Sequence, residues 1–295
     1  MPIRIVFGLV TVLLFATATL TAARAADAQI TIVAAENFYG DVAQQIGGDL
    51  VSVVNILSNP DQDPHLFETA PSVVREIAAA QLVIYNGADY DPWMERLLKV
   101  TPKPGRAVIV AADLMHKRAG DNPHLWYDPA TMPAVAKALA AALSAADAAN
   151  ADIYATRLRS FLASLQPLND KIAAIRDKYA ETFVAATEPV FGYMAAALHL
   201  TMLDQRFQLS IMHNTEPSVG DLAAFESDLK THKIRVLFYN KQASDKIVQH
   251  LVDLARASKI PVVGVTETCP PGLSYQNWML SELNATETAL AGPAS

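Results

Sequence analysis

From residue 30 onward the apolar positions follow two alternating patterns: short β-branched runs, and longer stretches repeating every three or four residues. The short runs predict strands over 30–34, 50–57, 82–85 and 107–110. Between them the helical spacing predicts helices over 36–46, 71–80 and 92–99, the first stopped by Gly47-Gly48. An alanine-rich helix follows Pro133 and runs to residue 149, with Thr131 placed to cap it. Over 151–178, Tyr154, Leu158, Phe161, Leu165, Leu168, Ile172 and Ile175 recur at helical spacing. Pro167 interrupts this stretch and predicts a kink or two abutting helices. The alternation then resumes, with strands over 182–186, 234–239 and 261–265 and helices over 189–198, 218–230, 244–258 and 275–290.

Strand–helix alternation of this kind favours parallel sheets covered by helices. The fold expected is α/β, with two lobes, each a mostly parallel sheet flanked by helices, joined by one long backbone helix. The lobes are expected over 26–149 and 181–295, and the connecting helix over 150–180. A helical connector in place of a Gly/Ser linker keeps two lobes in a nearly fixed relation.

Residues 1–25 read as a secretory signal: Arg4 is followed by an apolar core over 5–15 and by the small-residue cleavage site Ala23-Arg24-Ala25. The mature chain is then expected to begin near Ala26, in the periplasm. The apolar core is shorter than the roughly 20 residues a membrane span needs, so no stable membrane insertion is expected after signal removal. Cys269 lies far from the cleavage point, which leaves no cysteine for an N-terminal lipid anchor.

The chain has 295 residues, of which 52% are hydrophobic, enough to build real cores and to exclude global disorder. Its 23 Lys+Arg against 30 Asp+Glu give a formal charge of −7 without a basic run, which excludes nucleic acid as a partner class. An acidic protein is better suited to cations or neutral ligands. The single cysteine excludes an internal disulfide, a CxxC-type zinc site and an iron–sulfur cluster.

Two polar turns carry the candidate chemistry. The first, Asn59-Pro60-Asp61-Gln62-Asp63-Pro64-His65-Leu66-Phe67-Glu68, follows a strand and precedes a helix, where α/β sheets place their ligands. The second, Asn122-Pro123-His124-Leu125-Trp126-Tyr127-Asp128-Pro129, repeats the Pro-His-Leu element. Two imidazoles on rigid turns suit a borderline divalent cation, and carboxylates from elsewhere can complete its shell. The second half offers Glu188 in Thr187-Glu188-Pro189 and Glu267 in Thr266-Glu267-Thr268, each directly after a strand. A Glu before Pro at a helix start is also favourable on dipole grounds alone, and Thr215-Glu216-Pro217 is read that way. His213 is a further candidate, and Cys269 a disfavoured one, because a lone thiol in an oxidising compartment is vulnerable. His199, His232 and His250 are read as solvated, and Trp93, Trp126 and Trp278 as packing anchors, with Phe38, Tyr39 and Tyr127 shielding the site.

These motifs, taken in order, resemble the zinc/manganese substrate-binding proteins of bacterial ABC importers, sometimes called cluster A-I. The similarity runs through Asp63-Pro64-His65 with Glu68, Tyr85-Asn86-Gly87, Asn122-Pro123-His124 with Trp126 and Asp128-Pro129, Phe191-Gly192-Tyr193 and Val263-Gly264. The resemblance implies one transported Zn²⁺ or Mn²⁺ held between the lobes, an inner-membrane ABC permease as partner, a monomer, and no enzymatic activity. It places the first three metal ligands on His65, His124 and Glu188. The fourth is usually an Asp after the last strand. This chain has none in that loop, and Glu267 is the nearest acidic residue. The long His-rich loop of zinc-specific members is absent as well, since only His116 lies between the two histidines. Two competing readings stay open: a periplasmic metal-dependent hydrolase, though no HExxH signature is present, and a binding protein for a metal chelate of the siderophore type.

Overall fold

The computed structural model describes residues 29–61, 64, 67–243 and 245–292. The leader at 1–25 and His65 lie outside the described residues.

The amino-terminal lobe runs β1 (Ile30–Glu36), α1 (Asn37–Gly47), β2 (Val51–Leu57), α2 (Pro71–Ala79), β3 (Leu82–Tyr85), α3 (Pro92–Val100), β4 (Ala107–Val110), α4 (Ala111–Leu114) and α5 (Thr131–Ala146). Two helices then connect, α6 (Ala151–Ser164) and α7 (Gln166–Tyr179). The second lobe runs β5 (Phe183–Ala186), α8 (Gly192–Ala197), β6 (Thr201–Leu203), α9 (Gln205–Met212), α10 (Val219–Lys230), β7 (Leu237–Asn240), α11 (Lys246–Ala257), β8 (Val262–Val265) and α12 (Tyr275–Ala291). Each lobe has a four-stranded sheet, ordered β2-β1-β3-β4 and β6-β5-β7-β8, and every pairing is parallel. This is the α/β architecture the patterning predicts.

The shared strand order fixes where a ligand belongs. In both sheets the chain reverses direction of travel between the first and third strands, and the crevice at such a switch point opens at the carboxyl ends of those strands. In the first lobe these ends carry Glu36 and Asn86, and in the second Glu188 and Asn240. β1 is apolar on both faces because helices cover its sheet on both sides, and it turns directly into α1. Gly48 ends that helix at φ +55°, a positive-φ conformation that a residue without a Cβ adopts at no steric cost.

One core runs through both lobes. Phe38 packs on Trp126 at 4.7 Å between ring centroids, Trp126 on Tyr90 at 4.9 Å, Tyr127 on Phe191 at 5.6 Å, and Phe191 stacks on Phe238 at 4.3 Å. The carboxyl-terminal helix α12 crosses back to pack against α7 and α1. There Glu287 of α12 accepts from Lys171 and Lys178 of α7 at 2.5 and 3.1 Å. With rings interleaved across the lobe boundary, large rotation of one lobe against the other would open apolar surface to water.

The abutting helices that Pro167 predicts are found, and two local expectations are corrected. The connector is two helices meeting at Leu165, with Pro167 in the first turn of α7, where its missing N–H costs no hydrogen bond. Thr131 does not cap α5. It is the first helical residue, and the Asp128 side chain starts the turn by accepting from the Ala130 amide at 2.9 Å. The chain between 199 and 217, given no element by patterning, contains β6 and α9. A three-residue edge strand is too short to display an alternation.

Candidate metal centre

His124 enters the crevice from the turn after α4 and is fully buried. Asn122 fixes its ring. The Asn122 side-chain amide donates to Pro189 O at 2.8 Å, which leaves Oδ1 to accept from the His124 amide at 3.1 Å and to meet Nδ1 at 2.7 Å. Nδ1 therefore carries a proton, and Nε2 is the nitrogen turned to the second lobe. It lies 3.3 Å from Glu267 Oε2. Behind the ring, Asn86 holds the turn by donating from Nδ2 to Pro123 O at 2.8 Å, while Tyr39 donates to Asn86 Oδ1 at 2.7 Å.

Glu267 follows β8 and is also fully buried. Four groups fix it. Tyr90 donates to Oε2 at 2.9 Å, Asn240 donates from Nδ2 to Oε1 at 2.6 Å, and the Glu267 amide donates to Gln242 Oε1 at 2.6 Å. Beside it, Tyr127 donates to Thr266 O at 2.9 Å, and the Asn37 side chain exchanges two hydrogen bonds with the main chain of Cys269 at 2.7 and 2.9 Å. The loop bearing Glu267 is thus sewn to the opposite lobe on both sides.

Glu188 stands where a Glu-Pro pair could simply cap a helix, yet its side chain makes no cap bond. Its Oε2 instead accepts from Asn240 Nδ2 at 2.6 Å. Glu216, in the matching Thr-Glu-Pro, is exposed, in keeping with its reading as a helix-start residue. One buried amide therefore joins Glu188 to Glu267. Among the described residues no group of three or more His, Cys, Asp and Glu is close enough to hold a metal ion. The described site is the His124–Glu267 pair, with Glu188 attached through Asn240.

The other candidates lie elsewhere. His213, His116, His199, His232 and His250 are exposed. Cys269 is buried, with its thiol pushed up to about 12 by burial and directed at Leu273 O, 3.4 Å away. Trp93, Trp126 and Trp278 are buried packing residues, and Phe38, Tyr39 and Tyr127 are fully buried around the site.

Sequence reasoning missed Asn240, Gln242 and Tyr90, the residues that orient the carboxylates. The carboxyl end of a strand at the switch point was the available signal for Asn240. A buried acidic pair also escaped notice: Glu36, the last residue of β1, lies against Asp91, whose carboxylate accepts from the amides of Asn86 and Gly87 at 2.6 and 2.7 Å. Burial, then the neighbouring Asp91, pushes Glu36 well above the carboxylate range. The amide donors favour the charge on Asp91, so the pair keeps its proton on Glu36.

Two parallel sheets sharing one core, with a buried imidazole and two buried carboxylates where their carboxyl ends meet, define a two-lobed α/β cleft protein. The chain belongs to the family described as ZnuA, zinc-uptake complex component A, periplasmic, whose model matches residues 32–289. It is 27% identical over 262 residues to the high-affinity zinc uptake system protein ZnuA of Bacillus subtilis, covering 80% of each chain. It is 24% identical over 284 residues to the manganese ABC transporter substrate-binding lipoprotein PsaA of Streptococcus mitis, covering 89% of this chain and 90% of that one. The periplasmic zinc binding protein TroA from Treponema pallidum has the same fold, with a TM-score of 0.76 at 17% identity over 89% of this chain and 99% of that one.

Proposed function

We propose that this protein captures one divalent transition-metal ion, Zn²⁺ or Mn²⁺, between its lobes in the periplasm and delivers it to an inner-membrane ABC permease. The carrying observation is the 3.3 Å separation of His124 Nε2 from Glu267 Oε2. For a metal bonded to both at zinc-like distances, a tetrahedral edge is about 3.4 Å. The two atoms thus stand as neighbouring ligands of one ion would. Relatives named for zinc uptake and for a manganese ABC transporter support the same cargo class.

The ligand set of this reading is His65, His124 and Glu188, with Glu267 as the fourth. The chemistry is coordination, with no bond made or broken in the cargo, and a closed shell leaves no position for a reactive water. Cargo ligation requires neutral imidazoles, so protons compete with the metal. The mature chain begins near Ala26 and works as a monomer, with lobes at 26–149 and 181–295 bridged by 150–180. Among the described residues no helix is long and apolar enough to cross a membrane.

The test is calorimetric titration of the metal-stripped protein, with and without His124→Ala and Glu267→Gln. One saturable site in the parent protein, weakened at least a hundredfold by His124→Ala, supports the reading. Metal binding indifferent to both substitutions refutes it.

A further inference from the structure

We propose that Glu36 and Asp91 share one proton, and that this pair clamps the left-handed turn that carries Tyr90 to the second lobe. The inference is independent of what the crevice holds.

Glu36 stands at the head of α1 and Asp91 at the head of α3. From such positions an acid ordinarily caps its own helix. Neither side chain does so, and the two meet in the interior instead. Glu36 is fully buried, and Asp91 is 1% exposed. Both Asp91 oxygens accept main-chain N–H groups, Oδ2 from Asn86 at 2.6 Å and Oδ1 from Gly87 at 2.7 Å. Among the described residues no donor reaches either oxygen of Glu36. The hydrogen bond open to Glu36 is therefore one that it gives, with Asp91 as the acceptor. Two adjacent buried carboxyls do not both ionise when no cation stands between them. The other titratable groups that face the pair are Tyr39 from α1, Tyr85 from β3 and Tyr90 of the turn itself, all held un-ionised by burial.

The turn that Asp91 closes is one the chain does not favour by itself. Gly87, Ala88 and Asp89 follow one another at φ +76°, +51° and +63°. Gly87 adopts this freely, and a Cβ there would come within 2.7 Å of the Val110 side chain. Ala88 and Asp89 are L residues in the left-handed region, and their Cβ atoms oppose it. Tyr90 N donates to Gly87 O at 3.1 Å across the turn. The Asp91 carboxylate supplies the stronger closure by tying the first two amides of the segment to its last residue. A proton on Glu36 gives that carboxylate a third donor and removes the repulsion that would push it away. With the turn closed, Tyr90 stands 2.9 Å from Glu267 of the other lobe.

The experiment compares the parent protein with Glu36→Gln, which can still donate to Asp91, and Glu36→Met, which keeps the length and cannot. Infrared difference spectra at pH 8 detect a protonated carboxyl through its carbonyl band. Hydrogen exchange read by NMR follows the amides of Asn86, Gly87 and Tyr90 against those of β7. The parent protein should show a carboxylic-acid band that Glu36→Gln abolishes. The turn amides should exchange near the parent rate in Glu36→Gln and at least about tenfold faster in Glu36→Met, with β7 unchanged. If no band is lost, Glu36 carries no proton and the proposal fails. It fails equally if Glu36→Met leaves the turn amides protected, or speeds them and β7 alike. Should Glu36→Met not fold, the other two proteins decide: the proposal stands only if Glu36→Gln loses the band while its turn amides keep their protection.

Discussion

Tyr90, just ahead of α3 in one lobe, donates a hydrogen bond at 2.9 Å to Glu267, which follows the last strand of the other. That oxygen is also the one that faces His124. Burial, followed by the nearby Glu267 charge, pushes the Tyr90 hydroxyl well above its ordinary range, so it remains a donor at every physiological pH. The bond orients from behind the carboxylate that faces His124. Outer-shell partners of this kind are worth about 10–100-fold in metal affinity. Tyr90→Phe should therefore weaken Zn²⁺ binding by about tenfold, chiefly through faster release, as stopped-flow chelator competition would read. An unchanged release rate would mean that Glu267 is oriented without Tyr90.

Lowering the pH should weaken metal capture, because protonated imidazole cannot coordinate. His124 makes this specific: with its Nδ1 proton committed to Asn122, any second proton goes to Nε2, the nitrogen that faces Glu267. The apparent affinity should fall steadily between pH 7.5 and 5.5, with proton release on binding measurable in buffers of different ionisation enthalpy. A flat profile would exclude histidine ligation.

Stability without metal should show a different pH dependence, set by Glu282 of α12. Burial pushes this carboxyl up to about 7, so between its unfolded value and that pH the native state binds a proton that the unfolded chain has lost. The stabilisation is complete at low pH and is lost as pH rises through about 7. Glu282→Gln keeps an acceptor for Trp278 Nε1, now 3.2 Å from Oε1, and removes the charge. It should raise Tm at pH 8 and leave it nearly unchanged below the unfolded carboxyl range, by differential scanning calorimetry. A gain of equal size in both arms, low pH and pH 8, would assign the effect to packing.

Trp126 is fully buried beneath the site and packs against Phe38 and Tyr90. Trp126→Ala should cost about 3–5 kcal/mol in chemical denaturation, the usual result of truncating a buried large aromatic. Because this ring belongs to the core shared by both lobes, unfolding should remain one transition, with no separate melting of a lobe. Two resolved transitions would show the lobes to be independent.

The same shared core limits motion. Metal-free and metal-loaded forms should differ by small tilts and loop shifts, readable in paired crystal structures. A closure of tens of degrees would contradict it, since Phe191 and Phe238 stack at 4.3 Å on the second lobe's side and Tyr127 reaches Phe191 from the first.

The sequence made the architecture readable because its strands are short β-branched runs and its helices carry clear stops, such as Gly47-Gly48 and Pro167. Leu82–Tyr85 and Ala107–Val110 coincide with the strands predicted there. His124, Glu188 and Glu267 could be singled out because each lies just beyond a regular element in a polar turn. What holds them could not be read this way. Asn240 ends an apolar run, Phe238-Tyr239-Asn240, and nothing in its spacing tells that its amide meets residues 52 and 27 positions away. Glu36 likewise reads as an ordinary helix-start acid, although it is a buried partner of Asp91. Pairings across lobes depend on the docking of two sheets, which local periodicity does not encode.

The most direct test of the central claim is calorimetric titration of metal-stripped protein, residues 26–295, with Zn²⁺ and separately with Mn²⁺. One site per chain of submicromolar affinity, weakened at least a hundredfold by His124→Ala, is the expected result. No saturable binding of either ion would contradict the assignment of this crevice as a metal-capture site.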